Sequence, residues 1–204
     1  MEGIILLGLR RYVCEVLGEP IWHKVHSRPG LANSIYLPLQ RYPEHEIQDI
    51  VQAVSEETRI SAGRVLEDFG EHMMPEMMRM YGPLIDSNWK LIDLISNLTM
   101  TFQRVARVKK SAFGLVDIFD GSRLSNSEGI LLYSGPAGLC PMIKGMLRGF
   151  AAQRNEIATI SEMKCMMAGH DECEIRVKTI GRLASSRPGP KSGMMPALRG
   201  NSIA

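Results

Sequence analysis

The chain has no apolar run of membrane-spanning length. Its N-terminal apolar stretch, Gly3 to Leu9, ends at Arg10 and Arg11 and falls well short of the roughly 20 residues a transmembrane helix needs. The order of a secretory signal is missing too, because positive charge follows the apolar stretch instead of preceding it and no small-residue cleavage site comes after. A cytoplasmic protein without a membrane span is expected. G-x-S-x-G, P-loop and H-E-x-x-H sequences are absent, and no carboxylate pair stands in a recognisable setting, so no enzyme is expected. Cysteine is sparse: Cys14, Cys140, Cys165 and Cys173 are the whole set. In a cytosolic chain that argues against a disulfide framework and leaves thiols, a metal site or redox sensing. There is no internal repeat.

What is present is the composition of an ordinary soluble globular domain, 204 residues with 45% hydrophobic and 23% charged. The length suits one sizeable domain or one domain in two lobes. The net charge of +2 is uneven. From Gly181 to Ala204 come Arg182, Arg187, Lys191 and Arg199 with no acid. That segment, rich in Gly, Pro and Ser, reads as a basic disordered tail over 181–204. Four dispersed charges with no aromatic residue to stack give no specific nucleic-acid site.

The first half reads as helices. Gly3 to Leu17 carries Ile4, Leu7, Tyr12 and Val16 and stops at Gly18, and Pro20 opens a short second helix over Glu19 to Val25. Ser27 to Leu39 reads as loop. The helix after Pro43 places Ile47, Ile50, Val51 and Val54 on one face. Ser61 is a natural N-cap for the next helix, with Val65, Leu66, Phe69 and Met73 at helical spacing, and this helix runs into a methionine cluster around Pro75. Asn88 to Val108 reads as one long helix. The second half changes period. Strands are expected at Leu115–Phe119 and Ile130–Tyr133 around the turn-rich D-G-S-R-L-S-N-S-E-G, a helix over Leu139–Phe150, and a hairpin of Ile157–Met166 with Cys173–Thr179. Helices followed by an antiparallel sheet make an α+β protein. The domain is expected over 1–180, as a helical lobe (1–84) and a lobe of the long helix plus sheet (85–180).

Several segments resemble the heme NO/O2-binding (H-NOX) family. They are M-E-G-I-I at the start, S-E-E-T at Ser55–Thr58, D-F-G-E at Asp68–Glu71, L-C-P at Leu139–Pro141 followed by K-G-M-L-R-G, and the C-x7-C hairpin from Cys165 to Cys173. The resemblance covers nearly the whole chain to about Ile180. The C-terminal pattern is also similar to 4-vinyl reductase domains, and the N-terminal helices favour H-NOX. The resemblance implies a helical lobe plus a four-stranded antiparallel sheet, a heme cofactor, and a signalling partner such as a histidine kinase or a cyclic-nucleotide enzyme.

This sequence departs from the family at the heme anchors. Thr99 stands where the family has its proximal histidine, and none of His23, His26, His45, His72 or His170 lies on that helix. The family's Tyr-x-Ser-x-Arg propionate motif is here Tyr133-Ser134-Gly135-Pro136-Ala137, so Tyr133 is kept while Gly135 and Ala137 replace serine and arginine. Ala112 replaces a proline that presses on the heme face. An iron needs its axial ligand, and a propionate is best gripped by guanidinium. The expectation is therefore a signalling module without ordinary heme ligation, its pocket filled by bulky residues such as Met73 and Met142. The alternatives are a gas sensor with non-standard ligation and a thiol or zinc redox sensor. In the family arrangement Cys140, Cys165 and Cys173 approach one another, and Glu162 or His170 completes a tetrahedral zinc set. The competing role for these cysteines is as small buried apolar residues.

Overall fold

The computed structural model describes residues 2–31, 35–109 and 118–182. Helix α1 (Gly3–Tyr12) buries Leu6, Leu9 and Tyr12. A π-helical stretch, Val13–Gly18, carries the chain on to α2 (Glu19–His26). The wider π turn rotates the apolar face, so Val13 is buried and Val16, expected on the inner stripe, is exposed. Helix α3 (His45–Thr58) buries Ile47, Ile50, Val51 and Val54 as its periodicity predicts. Helix α4 (Ala62–Tyr81) starts where Ser61 accepts the Arg64 N–H at 3.3 Å and runs unbroken through Pro75.

The predicted long helix is two helices, α5 (Leu91–Ser96) and α6 (Leu98–Lys109). Asn97 separates them. Its side-chain amide donates to the Asp93 carbonyl at 2.8 Å, while its own carbonyl accepts both the N–H and the hydroxyl of Thr101 at 2.9 Å. Asparagine competes in this way with the helical ladder. Asp93 anchors the start of α5 by accepting the Lys90 N–H at 2.9 Å, and it also pairs with Arg123. Burial works against its charged form, but these partners outweigh burial and hold its carboxyl below the usual range. Asp93→Ala is expected to cost about 1 kcal/mol by urea unfolding at neutral pH, chiefly through the lost cap, since the part-exposed Arg123 pair adds little. A depressed folded pKa stabilises above the unfolded value. The difference between wild type and variant should therefore shrink as pH falls below about 4.

Strands β1 (Phe119–Ser125), β2 (Glu128–Tyr133), β3 (Glu156–Lys164) and β4 (Cys173–Arg182) form one antiparallel sheet in the order β1-β2-β4-β3. Of the strand expected over Leu115–Phe119, Phe119 opens β1 and Ile118 is a bend, while residues 115–117 lie outside the described residues. Much of the D-G-S-R-L-S segment is strand, not turn. Gly121 is there for close approach: a Cβ on it would lie 1.9 Å from the Ile95 carbonyl oxygen of α5. Strand β4 runs through Arg182, past the expected tail boundary, and 183–204 lie outside the described residues.

Helix α7 (Cys140–Gln153) packs on α4 and on the sheet. Gly70 of α4 and Gly145 and Gly149 of α7 bring the two helices together. A Cβ on Gly70 would meet the Met142 carbonyl oxygen at 2.1 Å, and one on Gly145 the Glu67 carbonyl oxygen at 1.9 Å. Small residues at such contacts let helix backbones approach. This gives D-F-G-E and K-G-M-L-R-G a physical role: Phe69 fills the core, and the glycines set the crossing.

Candidate functional site

A chamber of about 550 Å3 lies among α1, α4, α6, α7 and the sheet. That volume is within the usual range for small-molecule sites. Met73, Met74, Met77 and Met78 of α4 and Met142 and Met146 of α7 give it a thioether wall. Its other conspicuous surface is aromatic. Phe102 stacks on Phe119 with ring centroids 5.0 Å apart and planes 14° apart, and Phe119 meets Tyr133 at 5.3 Å. Met73 and Met142, expected as bulky residues of the pocket, both line the chamber.

The polar groups of the wall are mostly committed. Tyr133 is buried and donates its hydroxyl to the Pro136 carbonyl at 3.0 Å, and burial pushes its phenol upward. Thr101 donates to the Asn97 carbonyl at 2.9 Å. Glu2, Arg41 and Glu44 line one edge, where Glu2 and Arg41 face each other as an antiparallel backbone bridge.

The positions tied to heme do not converge on this chamber as ligands. Thr99 is half-buried, and its hydroxyl donates to the Phe119 carbonyl at 3.0 Å. Its neighbours Leu98, Thr101 and Phe102 line the chamber. Gly135 lies against the Tyr133 ring, with a Cβ there only 2.6 Å from a ring carbon, and exposed Ala137 offers its carbonyl to Gln48 at 2.9 Å. No histidine or cysteine lines the chamber among the described residues. His72 lies in a separate cleft between α1 and α4, 3.4 Å from Glu15. Ala112 lies outside the described residues. Among the described residues the chamber wall offers no imidazole to hold a heme iron, and its one guanidinium, Arg41, stands at the edge beside Glu2 and Glu44.

A second cluster stands at the first turn of α7. One ligand atom from each of Cys140, Glu162, Cys165 and Cys173 lies within 4.8 Å of the others. The sulfurs of Cys140 and Cys165 are 3.8 Å apart. With Zn–S bonds of about 2.3 Å, a tetrahedral site separates its sulfurs by roughly 3.8 Å. Pairing of β2, β3 and β4 carries Cys173 opposite Tyr133 and sets Glu162 opposite Ile175. Burial pushes the Cys140 and Cys173 thiols up. Burial also opposes ionisation of Glu162, but the facing Cys140 and Lys144 outweigh it and keep this carboxyl below its usual range. Lys144 bridges Glu162 at 3.3 Å and Glu67 of α4 at 3.1 Å. One carboxylate oxygen of Glu162 is buried without a hydrogen-bond partner. His170 is exposed and outside the cluster, and Cys14 sits apart in the π-helical stretch.

Helices packed around a ligand-sized, largely apolar chamber against a four-stranded antiparallel sheet are the architecture of H-NOX domains. The fold matches an H-NOX protein from S. oneidensis in its Fe(II)NO state, with TM-score 0.78 and 23% identity over 89% of this chain and 100% of that one. It also matches Fe(II) unliganded H-NOX from K. algicida, with TM-score 0.77 and 17% identity over 91% of this chain and 100% of that one. The sequence model described as Haem-NO-binding matches residues 2–162, and the chain belongs to this family of heme-based gas sensors. No curated protein matches. No described helix is long and apolar enough to cross a membrane.

Proposed function

We propose that this chain is an H-NOX signalling module that works without ordinary heme ligation and acts through a partner protein, of the histidine-kinase or cyclic-nucleotide-enzyme type. The observation that supports this reading is the chamber wall, whose described residues supply thioethers, rings and already-bonded hydroxyls but no imidazole for an iron. Purified protein titrated with hemin is expected to give no one-to-one complex with a sharp Soret band. A stoichiometric band that shifts with CO or NO would make the protein a gas sensor with non-standard ligation instead.

The cysteine cluster favours a second role beside the first, a zinc or thiol redox site formed by Cys140, Cys165, Cys173 and Glu162. Three soft thiolates and one carboxylate in near-tetrahedral spacing suit Zn2+. The unpartnered oxygen of Glu162 suits a ligand role as well.

A further inference from the structure

We infer that the chamber is a binding site for a flat, metal-free aromatic ring system with at most one polar edge. The inference rests on the heme-free reading and names what the site takes in place of iron porphyrin. It stands on three features of the wall.

The first is size and chemistry combined. About 550 Å3 is enough for a multi-ring molecule, and the wall is overwhelmingly apolar. The second is the pairing of surfaces. Phe102, Phe119 and Tyr133 form a continuous run of rings, and the methionines of α4 and α7 supply polarisable sulfur. Rings stack on rings, and thioethers make favourable contacts at ring edges. Methionine also adapts its shape, so such a wall can close on a rigid planar guest. The third is the placement of polarity. The hydroxyls of Thr101 and Tyr133 are bonded to backbone carbonyls, so among the described residues a charged group deep in the chamber would find no free hydroxyl partner. Charged side chains occur at the Glu2–Arg41–Glu44 edge, and a single polar substituent on the ligand would point there.

The test uses N-phenyl-1-naphthylamine, an uncharged aromatic fluorophore, titrated into the reduced full chain. Expected is saturable, blue-shifted fluorescence at one site per chain. Met142→Trp and Leu98→Trp fill the chamber from α7 and from α6, and each is expected to weaken binding at least tenfold while circular dichroism stays unchanged. Two variants from different helices guard against one failing to fold. Ile180→Ser, on the exposed face of β4, is expected to bind as wild type. The inference is overturned if the folded protein shows no saturable binding, if both folded chamber variants bind as wild type, or if Ile180→Ser loses binding as they do. Hemin titrated in parallel separates the two readings. Neither probe binding sinks the aromatic-ligand inference and leaves the heme-free reading standing. Stoichiometric hemin binding sinks the heme-free reading and, with it, the inference. The fluorophore binding alone supports both.

Discussion

Gly145→Ala is expected to destabilise the protein by about 3 kcal/mol, at the top of the range for overpacking a core. In a chain of this length that is a fall in Tm of roughly 6–12 °C. The reason is geometric. The added methyl would lie 1.9 Å from the Glu67 carbonyl oxygen, 2.8 Å from the Glu67 carbonyl carbon and 3.0 Å from the Glu71 nitrogen. All three are backbone atoms of α4, so no rotamer change makes room and the two helices must separate. Separation would also loosen the Lys144–Glu67 and Arg148–Glu67 ion pairs that bridge the same helices. Gly149→Ala is expected to cost less, because its clashes are milder, with Met74 Cβ at 2.8 Å and the Glu71 carbonyl oxygen at 3.0 Å. Gly181→Ala is the control. Nothing lies within 4 Å of a Cβ there, so its stability should match wild type or exceed it slightly. Urea unfolding of the three variants checks the order. Equal midpoints for Gly145→Ala and Gly181→Ala would show that the α4–α7 crossing is not set by backbone contact.

The second large effect is expected at the thiols. Reduced protein should take up one Zn2+ per chain. At zinc a hundredfold above its dissociation constant, linkage adds about 2.7 kcal/mol to stability, or roughly 5–10 °C in Tm. Cys140→Ser removes a buried ligand at the centre of the cluster. It should weaken zinc by at least the ~10–100-fold that losing an outer-shell partner costs, and abolish the thermal shift. Glu162→Gln should do less, since three thiolates remain. Uptake should weaken as pH falls, because the metal must displace thiol protons. Metal analysis with a thermal shift assay decides the matter. If reduced, chelator-free protein holds no zinc and shows no shift on adding it, the metal reading fails and the cysteines are buried apolar residues.

The two sites differ in how far they were legible. The residues expected at the family's heme anchors, Thr99, Gly135 and Ala137, could be named from the sequence, because resemblance alone sets that expectation. Thr99's partner was not legible: its hydroxyl bonds to a carbonyl twenty residues on. The cysteines were marked out by their type, and Glu162 joined them as an expectation from family resemblance. No local pattern showed the buried, unpartnered oxygen of Glu162 or the grip of Lys144 on it. The glycines of K-G-M-L-R-G were visible as part of a motif, but their contact with α4 was not. A signal did exist, since Gly145 and Gly149 stand four apart on one helix face.

By itself the sequence determined the local elements. The apolar spacing of α3, α4 and α7, the Ser61 cap and the alternation in β2 are set by contacts between near neighbours, which a period of 3.6 or 2 records directly. It also determined which residue type stands at each position, because Thr99 is a threonine in any fold. The tertiary structure decided the rest. It broke the long helix at Asn97, turned the D-G-S segment into a strand against Ile95, drew α4 onto α7 through glycine, and shaped the chamber that Met73 and Met142 line. Each of these depends on how surfaces remote in sequence fit together. A void is set by the spacing of several elements at once, and no one segment carries that information.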